Sequence, residues 1–159
     1  MYFVSHICIP VTLGIFSNII SKVRGGSAKF HPRSLLIIGL AGILPDLVNP
    51  HIYLVDRFNS WSHTIWFLLG VIVLVMAAHL FKWINNLHLV IAIPIAVLLH
   101  IFCDGITGGV KLLYPVDMIF GKYYIGSNHW IQLDLICITL VLLTFIIFRV
   151  TRQRNYTMS

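Results

Sequence analysis

Residues 65–84 read IWFLLGVIVLVMAAHLFKWI, an apolar run of 20 residues whose only permanently charged side chain is Lys82. About 20 apolar residues is the length that an α-helix needs to cross the roughly 30 Å hydrocarbon core of a bilayer. In lipid, the backbone polar groups must be satisfied within the structure, and a helix does this inside a single segment. The stretch therefore predicts a membrane-spanning helix.

Four more apolar segments follow the same logic. Phe3–Ile20 and Trp130–Phe148 are close to the spanning length, and Leu87–Cys103 contains Pro94, at which we expect a kink. Leu35–Val48 is shorter, a length that fits a re-entrant or protein-buried helix as well as a span. The sequence thus predicts an all-α, polytopic membrane bundle of about five helices.

Composition agrees with this class. The 159 residues are 58% hydrophobic and 10% charged, with a mean hydropathy of +0.92, whereas soluble domains are about 25% charged. The net charge of +6 arises from 11 Lys and Arg against 5 acidic residues. Since no basic stripe is interleaved with aromatic residues, we expect membrane lipids as partners and no nucleic acid. We interpret residues 1–159 as a single membrane-embedded domain.

The three cysteines, Cys8, Cys103 and Cys137, lie inside apolar runs, and their odd number and irregular spacing predict no disulfide framework. We interpret them as small packing residues. A thiolate ligand remains an alternative, because Cys8 is near His6 and Cys103 is next to Asp104.

Histidine and aspartate recur at particular points of the chain. They are His6, Asp46, His63, His100 and Asp104. Imidazole and carboxylate together are typical ligands of zinc and other divalent metals. His100 and Asp104 are four residues apart, so that both lie on one face of a helix. We predict that these five residues are metal ligands.

Membrane topology places the five candidates on one side. If all five segments cross, eight Lys and Arg fall on one side (22, 24, 29, 33, 82, 149, 152 and 154) and three on the other (57, 111 and 122). By the positive-inside rule, the side with eight charges is cytoplasmic. Each of the five candidates then lies near the outer end of its segment, which predicts a site on the extracytoplasmic face.

Three further residues are candidates for the same site. His51 and His129 lie on the outer side and are possible additional ligands, and Asp134 is a carboxylate one turn into the last helix, where an unpaired acid is costly. His79 and His88 lie near the opposite face, and we interpret them as packing residues.

These residues carry a family resemblance. GILPDL around Asp46, SHT around His63, and HIFCDGITGGVKLLYP from His100 onward resemble the motifs of predicted membrane-bound, metal-dependent hydrolases over residues 6–115. The order of ligands is more loosely similar to that of zinc-dependent phospholipase C and single-strand-specific zinc nucleases. The chain departs from the family pattern at Val48 and at residues 59–61, where the family often has a further acid and a further His with Arg.

The resemblance implies a function. Asp46, His63, His100 and Asp104 would hold one divalent ion, zinc or alternatively manganese, and Asp104 would bridge to a second ion held by His6. The expected reaction is hydrolysis of a phosphoester, possibly lipid-linked, by metal-activated water that Asp46 or Asp104 orients. Lys111 and Lys122 are the cations of the outer loop. A metal or proton transporter and a non-catalytic membrane scaffold remain alternative hypotheses.

Overall fold

The computed structural model describes residues 3–50, 58–122 and 124–156. Within these ranges the chain forms six α-helices and no strand, apart from an isolated antiparallel bridge between Val110 and Phe120. The all-α prediction is confirmed. The helices are α1 (Phe3–Val23), α2 (Pro32–Gly42), α3 (Leu44–Val48), α4 (Ile65–Leu80), α5 (Leu87–Ile106) and α6 (Trp130–Tyr156).

Among the described residues, three helices are long and apolar enough to cross a membrane: α1, α5, and residues Trp130–Thr151 of α6. The apolar helices α2 and α4 have 11 and 16 residues and are shorter than a full crossing. The count is close to the predicted five, with α2 and α3 together occupying the place of one predicted segment.

The predicted segment Leu35–Val48 is broken at Ile43 into α2 and α3. Pro45 has no N–H to donate to the Ala41 carbonyl, and its ring clashes with the preceding turn, so that the helix cannot continue through it. Ile43 N–H instead bonds to the Leu40 carbonyl at 3.2 Å, and Pro45 lies in the first turn of α3. The break lies directly before Asp46.

The predicted helix over 65–84 ends earlier, at Leu80. Lys82 has a φ of 62° and reverses the chain, and the Nδ1 atom of His79 lies 2.7 Å from the Ile84 carbonyl oxygen, to which it donates. His79 therefore has a structural contact, a hydrogen bond that stabilises the turn after α4. At the other end, the Thr64 hydroxyl accepts a bond from Phe67 N–H and caps α4.

The bundle has two chemically different ends. At one end, which we call the histidine end, the start of α1 meets the end of α5 and the start of α6 through His6–Asp104 and Ser5–Asp134 contacts. At the opposite end, which we call the basic end, the loop at residues 24–31 meets the turn before α5. Because successive long segments of the chain run in opposite directions, each end collects residues that are distant in sequence.

The loop after α5 folds back onto the histidine end. Val110 and Phe120 exchange backbone bonds of 2.9 and 2.7 Å, and Tyr124 N–H bonds to the Ile106 carbonyl at 3.1 Å. Gly121 has a φ of +88°, and a side chain there would overlap the Gly105 carbonyl oxygen. Only glycine fits this approach, so that the loop rests directly on the last turn of α5, beside Asp104.

Candidate metal centre

Four predicted ligand residues converge at the histidine end: Asp46 from α3, His63 from a single 3₁₀ turn at Trp61–His63, and His100 and Asp104 from the last turns of α5. One ligand atom from each lies within 4.8 Å of every other. The residues are between 0% and 8% exposed. We call this group the four-residue cluster.

The distances inside the four-residue cluster fit a tetrahedron. The Nε2 atoms of His63 and His100 are 3.1 Å apart. Asp46 Oδ1 lies 3.2 and 3.5 Å from these two nitrogens, and Asp104 Oδ2 lies 3.2 and 3.3 Å from them. A tetrahedral ion with ligand bonds of 2.0–2.1 Å has ligand-to-ligand edges of about 3.3 Å. These five edges therefore match the spacing that one central ion requires.

The outer nitrogen of His100 fixes its tautomer. His100 Nδ1 lies 2.8 Å from the Gly42 carbonyl oxygen, which can only accept a hydrogen bond. The proton of the neutral ring is therefore on Nδ1, and Nε2 presents a lone pair to the four-residue cluster. A backbone carbonyl behind a histidine in this way is the usual support of a metal ligand.

His63 is held in the same tautomer by two serines. Ser62 Oγ donates to the Pro45 carbonyl at 2.7 Å, so that it accepts from His63 Nδ1 at 3.1 Å. Ser60 Oγ lies 2.9 Å from the same nitrogen and accepts from Asn49 Nδ2 at 2.8 Å. His63 Nε2 is then free of a proton. Neither serine is among the predicted site residues, although both lie within three residues of His63 in the sequence.

Charge provides a further test of fit. Two carboxylates and two neutral imidazoles bring a charge of −2 into a site closed to solvent, which is costly unless a cation offsets it. A divalent ion makes the four-residue cluster neutral. The donor set therefore fits a divalent metal in charge as well as in geometry.

His6 lies beside the four-residue cluster rather than in it. Its Nε2 atom is 3.3 Å from Asp104 Oδ1, while Asp104 Oδ2 faces the cluster histidines. Its ring stacks on that of His100 with centroids 4.0 Å apart, and its Nδ1 is buried without a hydrogen-bond partner. Gly42 permits this proximity, because any side chain there would overlap the His6 carbonyl oxygen.

The additional candidates have other surroundings. Asp134 is buried and accepts from the Ser5 N–H at 3.2 Å and from the Ser5 hydroxyl, so that it caps the first turn of α1 next to His6. His129 is exposed, with Nδ1 2.9 Å from Gln132 Oε1, and lies outside the four-residue cluster. The predicted candidate His51 lies outside the described residues.

The two lysines of the outer loop and the three cysteines lie outside the four-residue cluster. Lys111 forms an ion pair of 2.7 Å with the exposed Asp117, and Lys122 is exposed. The three cysteines are free, and none belongs to the four-residue cluster, which contains no thiol.

Comparison with known proteins identifies the family. The family model of the YdjM inner membrane protein matches residues 1–158, so the chain belongs to this family and is a membrane protein. No curated protein and no solved structure matches the chain. The family description states a location in the inner membrane, and the resemblance to metal-dependent hydrolases remains a prediction.

Proposed function

We propose that this member of the YdjM inner membrane protein family is a metal-dependent hydrolase of phosphoesters. The observation that carries the proposal is the set of five tetrahedral edges between 3.1 and 3.5 Å in a buried group of two imidazoles and two carboxylates. Imidazole with carboxylate is also the donor mixture of hydrolytic zinc sites.

Zinc is the metal that we assign to the four-residue cluster. Its bonds to nitrogen and oxygen, about 2.0–2.2 Å, agree with the edges, and it favours four ligands. Manganese is the second choice, because it prefers oxygen donors and six ligands. We therefore favour zinc because it prefers four ligands. Metal analysis of the purified protein would show whether manganese is bound instead.

Different residues of the chain would have different roles in hydrolysis. A bound divalent ion supplies the Lewis acidity that lets water act as a nucleophile at neutral pH. Gly42, Ser60 and Ser62 keep the cluster histidines in the ligating tautomer. We assign Asp46 the orientation of the attacking water, and Asp104 the same role only in a site without a second ion at its Oδ1 atom, since a ligating carboxylate can accept a hydrogen bond on its second oxygen.

His6 would extend the site to a second ion. Asp104 directs one carboxylate oxygen at the four-residue cluster and the other at His6 Nε2, which is the arrangement of a bridging carboxylate. A second cation at His6 would give phosphoryl oxygens a partner as charge develops on them. In a one-ion site, the His6 side chain would instead orient Asp104 and pack on His100.

The closed geometry also suits a competing function. Four protein ligands that complete a tetrahedron are typical of structural zinc sites, and such an ion would join α3, the turn before α4, and α5 in a non-catalytic membrane scaffold. A transporter fits less well, because the buried ionisable side chains of the described residues gather at the histidine end instead of lining a path through the bundle.

Activity measurements decide between hydrolase and scaffold. We expect purified protein in detergent to hydrolyse a chromogenic phosphodiester or a phospholipid, to lose this activity with chelator, and to regain it with zinc. His63→Ala should lose both metal and hydrolysis, while Asp117→Asn, on the exposed loop, should keep both. Stoichiometric zinc without hydrolysis of any tested phosphoester would favour the scaffold.

The proposed face of the membrane has its own test. The charge count predicts that the histidine end is extracytoplasmic. We expect Lys122→Cys to react with an impermeant maleimide on intact cells, and Lys29→Cys to react only after the membrane is opened. The reverse pattern would place the site in the cytoplasm without changing its chemistry.

A further inference from the structure

A groove of about 210 Å³ runs along the bundle between α1, α2 and α5. Its walls are apolar, and small residues such as Gly14, Ala92 and Ala96 lie along it. It extends along α5 from His88 to Leu99, a distance of about 16 Å at 1.5 Å per residue. The groove is thus elongated and apolar, which suits a hydrocarbon chain.

The groove ends at a cationic and well-fixed segment. Lys29 and Phe30 line this end together with His88. Asn86 Nδ2 donates to the Lys29 carbonyl at 3.0 Å, and the buried Asn18 bonds to both backbone groups of Phe30 at 2.8 and 2.9 Å. The Phe30 and His88 rings meet edge to face with centroids 6.3 Å apart. The position of Lys29 beside the groove is therefore built into the fold.

No described carboxylate balances this end. Three of the chain's five acidic residues, Asp46, Asp104 and Asp134, are buried at the histidine end, and Asp117 pairs with Lys111. The fifth, Asp56, lies outside the described residues. Lys22, Arg24 and Arg33 add positive charge to the same loop region. The basic end therefore carries an excess of positive charge, which attracts anions from outside the described chain.

We propose that the groove binds one anionic phospholipid, with its phosphate at Lys29 and His88 and one acyl chain between α1 and α5. The cationic end attracts an anion and the apolar length accommodates a hydrocarbon tail, and an anionic phospholipid carries both on one molecule. Free phosphate would leave the groove unfilled. The headgroup of a zwitterionic lipid has no net negative charge to offset the positive charge of Lys29. The site lies at the basic end, and the proposal does not depend on the hydrolase function.

Lipid selectivity tests the cationic end. Delipidated protein in detergent is titrated with phosphatidylglycerol or phosphatidylcholine that carry the same acyl chains, and the midpoint of thermal unfolding is followed. We expect phosphatidylglycerol to bind about fivefold more tightly for each cation that it contacts, corresponding to ~1 kcal/mol. Lys29→Gln with His88→Gln should abolish this preference, and Arg33→Gln, which does not line the groove, should keep it.

Filling the groove tests the acyl-chain position. Ala92→Phe should reduce tightly bound phosphatidylglycerol by about one molecule per chain in native mass spectrometry. Val73 lies on α4 outside the groove and is 65% exposed, so that Val73→Phe introduces the same side chain there and should leave the bound lipid unchanged. Equal affinity for the two lipids, or unchanged stoichiometry in folded Ala92→Phe, would overturn the proposal.

Discussion

Asp104→Asn should lose nearly all of the tightly bound metal. The Oδ2 atom of Asp104 lies 3.2–3.3 Å from the Nε2 atoms of His63 and His100, and Oδ1 faces His6 at 3.3 Å. The amide keeps the size of the side chain but removes the negative charge that offsets a divalent cation. It also places an N–H₂ donor where a ligand or a histidine partner needs an acceptor. The measurement is zinc and manganese per protein chain at matched expression.

Asp134→Asn is the matched control for this experiment. It also replaces a buried carboxylate of the histidine end, but Asp134 bonds to Ser5 and not to the four-residue cluster. We expect its metal affinity to fall by no more than the ~10–100-fold typical of an outer partner. Wild-type metal content in Asp104→Asn would mean that the His100–Asp104 pair serves helix packing, and the hydrolase proposal would lose its main support.

Gly42→Ala should destabilise the bundle and weaken metal binding together. The added Cβ would overlap the His6 carbonyl oxygen and lie 2.9 Å from the Pro10 ring. Because one clash is with backbone, α1 and α2 must separate, and we expect a cost of ~3 kcal/mol or more, the upper part of the range for overpacked sites. The shift also moves the Gly42 carbonyl away from His100 Nδ1, whose tautomer it fixes.

The midpoint of thermal unfolding and the metal content should therefore both fall in Gly42→Ala. Gly70→Ala provides the comparison, because nothing lies within 4 Å of a Cβ at that position and alanine favours the helix. We expect it to unfold at the wild-type temperature or slightly above. A Gly42→Ala protein with normal midpoint and metal content would show that α1 and α2 do not approach as closely as described.

Some features of the site follow from local sequence. The spacing of His100 and Asp104 predicts a shared helix face, and their side-chain atoms approach to 3.3 Å. The alternation of helix direction across a membrane predicts that Asp46 and His63 share an end with this pair, and the structure brings all four together. Such inferences need only helix periodicity and the requirement that each span reverses direction.

Other features depend on contacts between distant residues. His6 is a predicted ligand and Asp134 a possible additional site residue, and the sequence does not specify that Asp134 caps α1 through Ser5 while His6 contacts Asp104. The support of His63 by Ser60 depends on a 3₁₀ turn, a local geometry that the residue types do not specify.

The sequence by itself predicted the all-α class, the long apolar helices, and the candidate ligand residues with their common end, because length, hydropathy and helical period are local properties. Only the tertiary structure decided which carboxylate oxygen faces which histidine, that Gly42 brings α1 against α2, and that Lys29 closes an apolar groove. These features depend on distances of a few ångströms between separate helices. Packing between helices sets these distances, and they cannot be inferred from the hydrophobic period of a single segment.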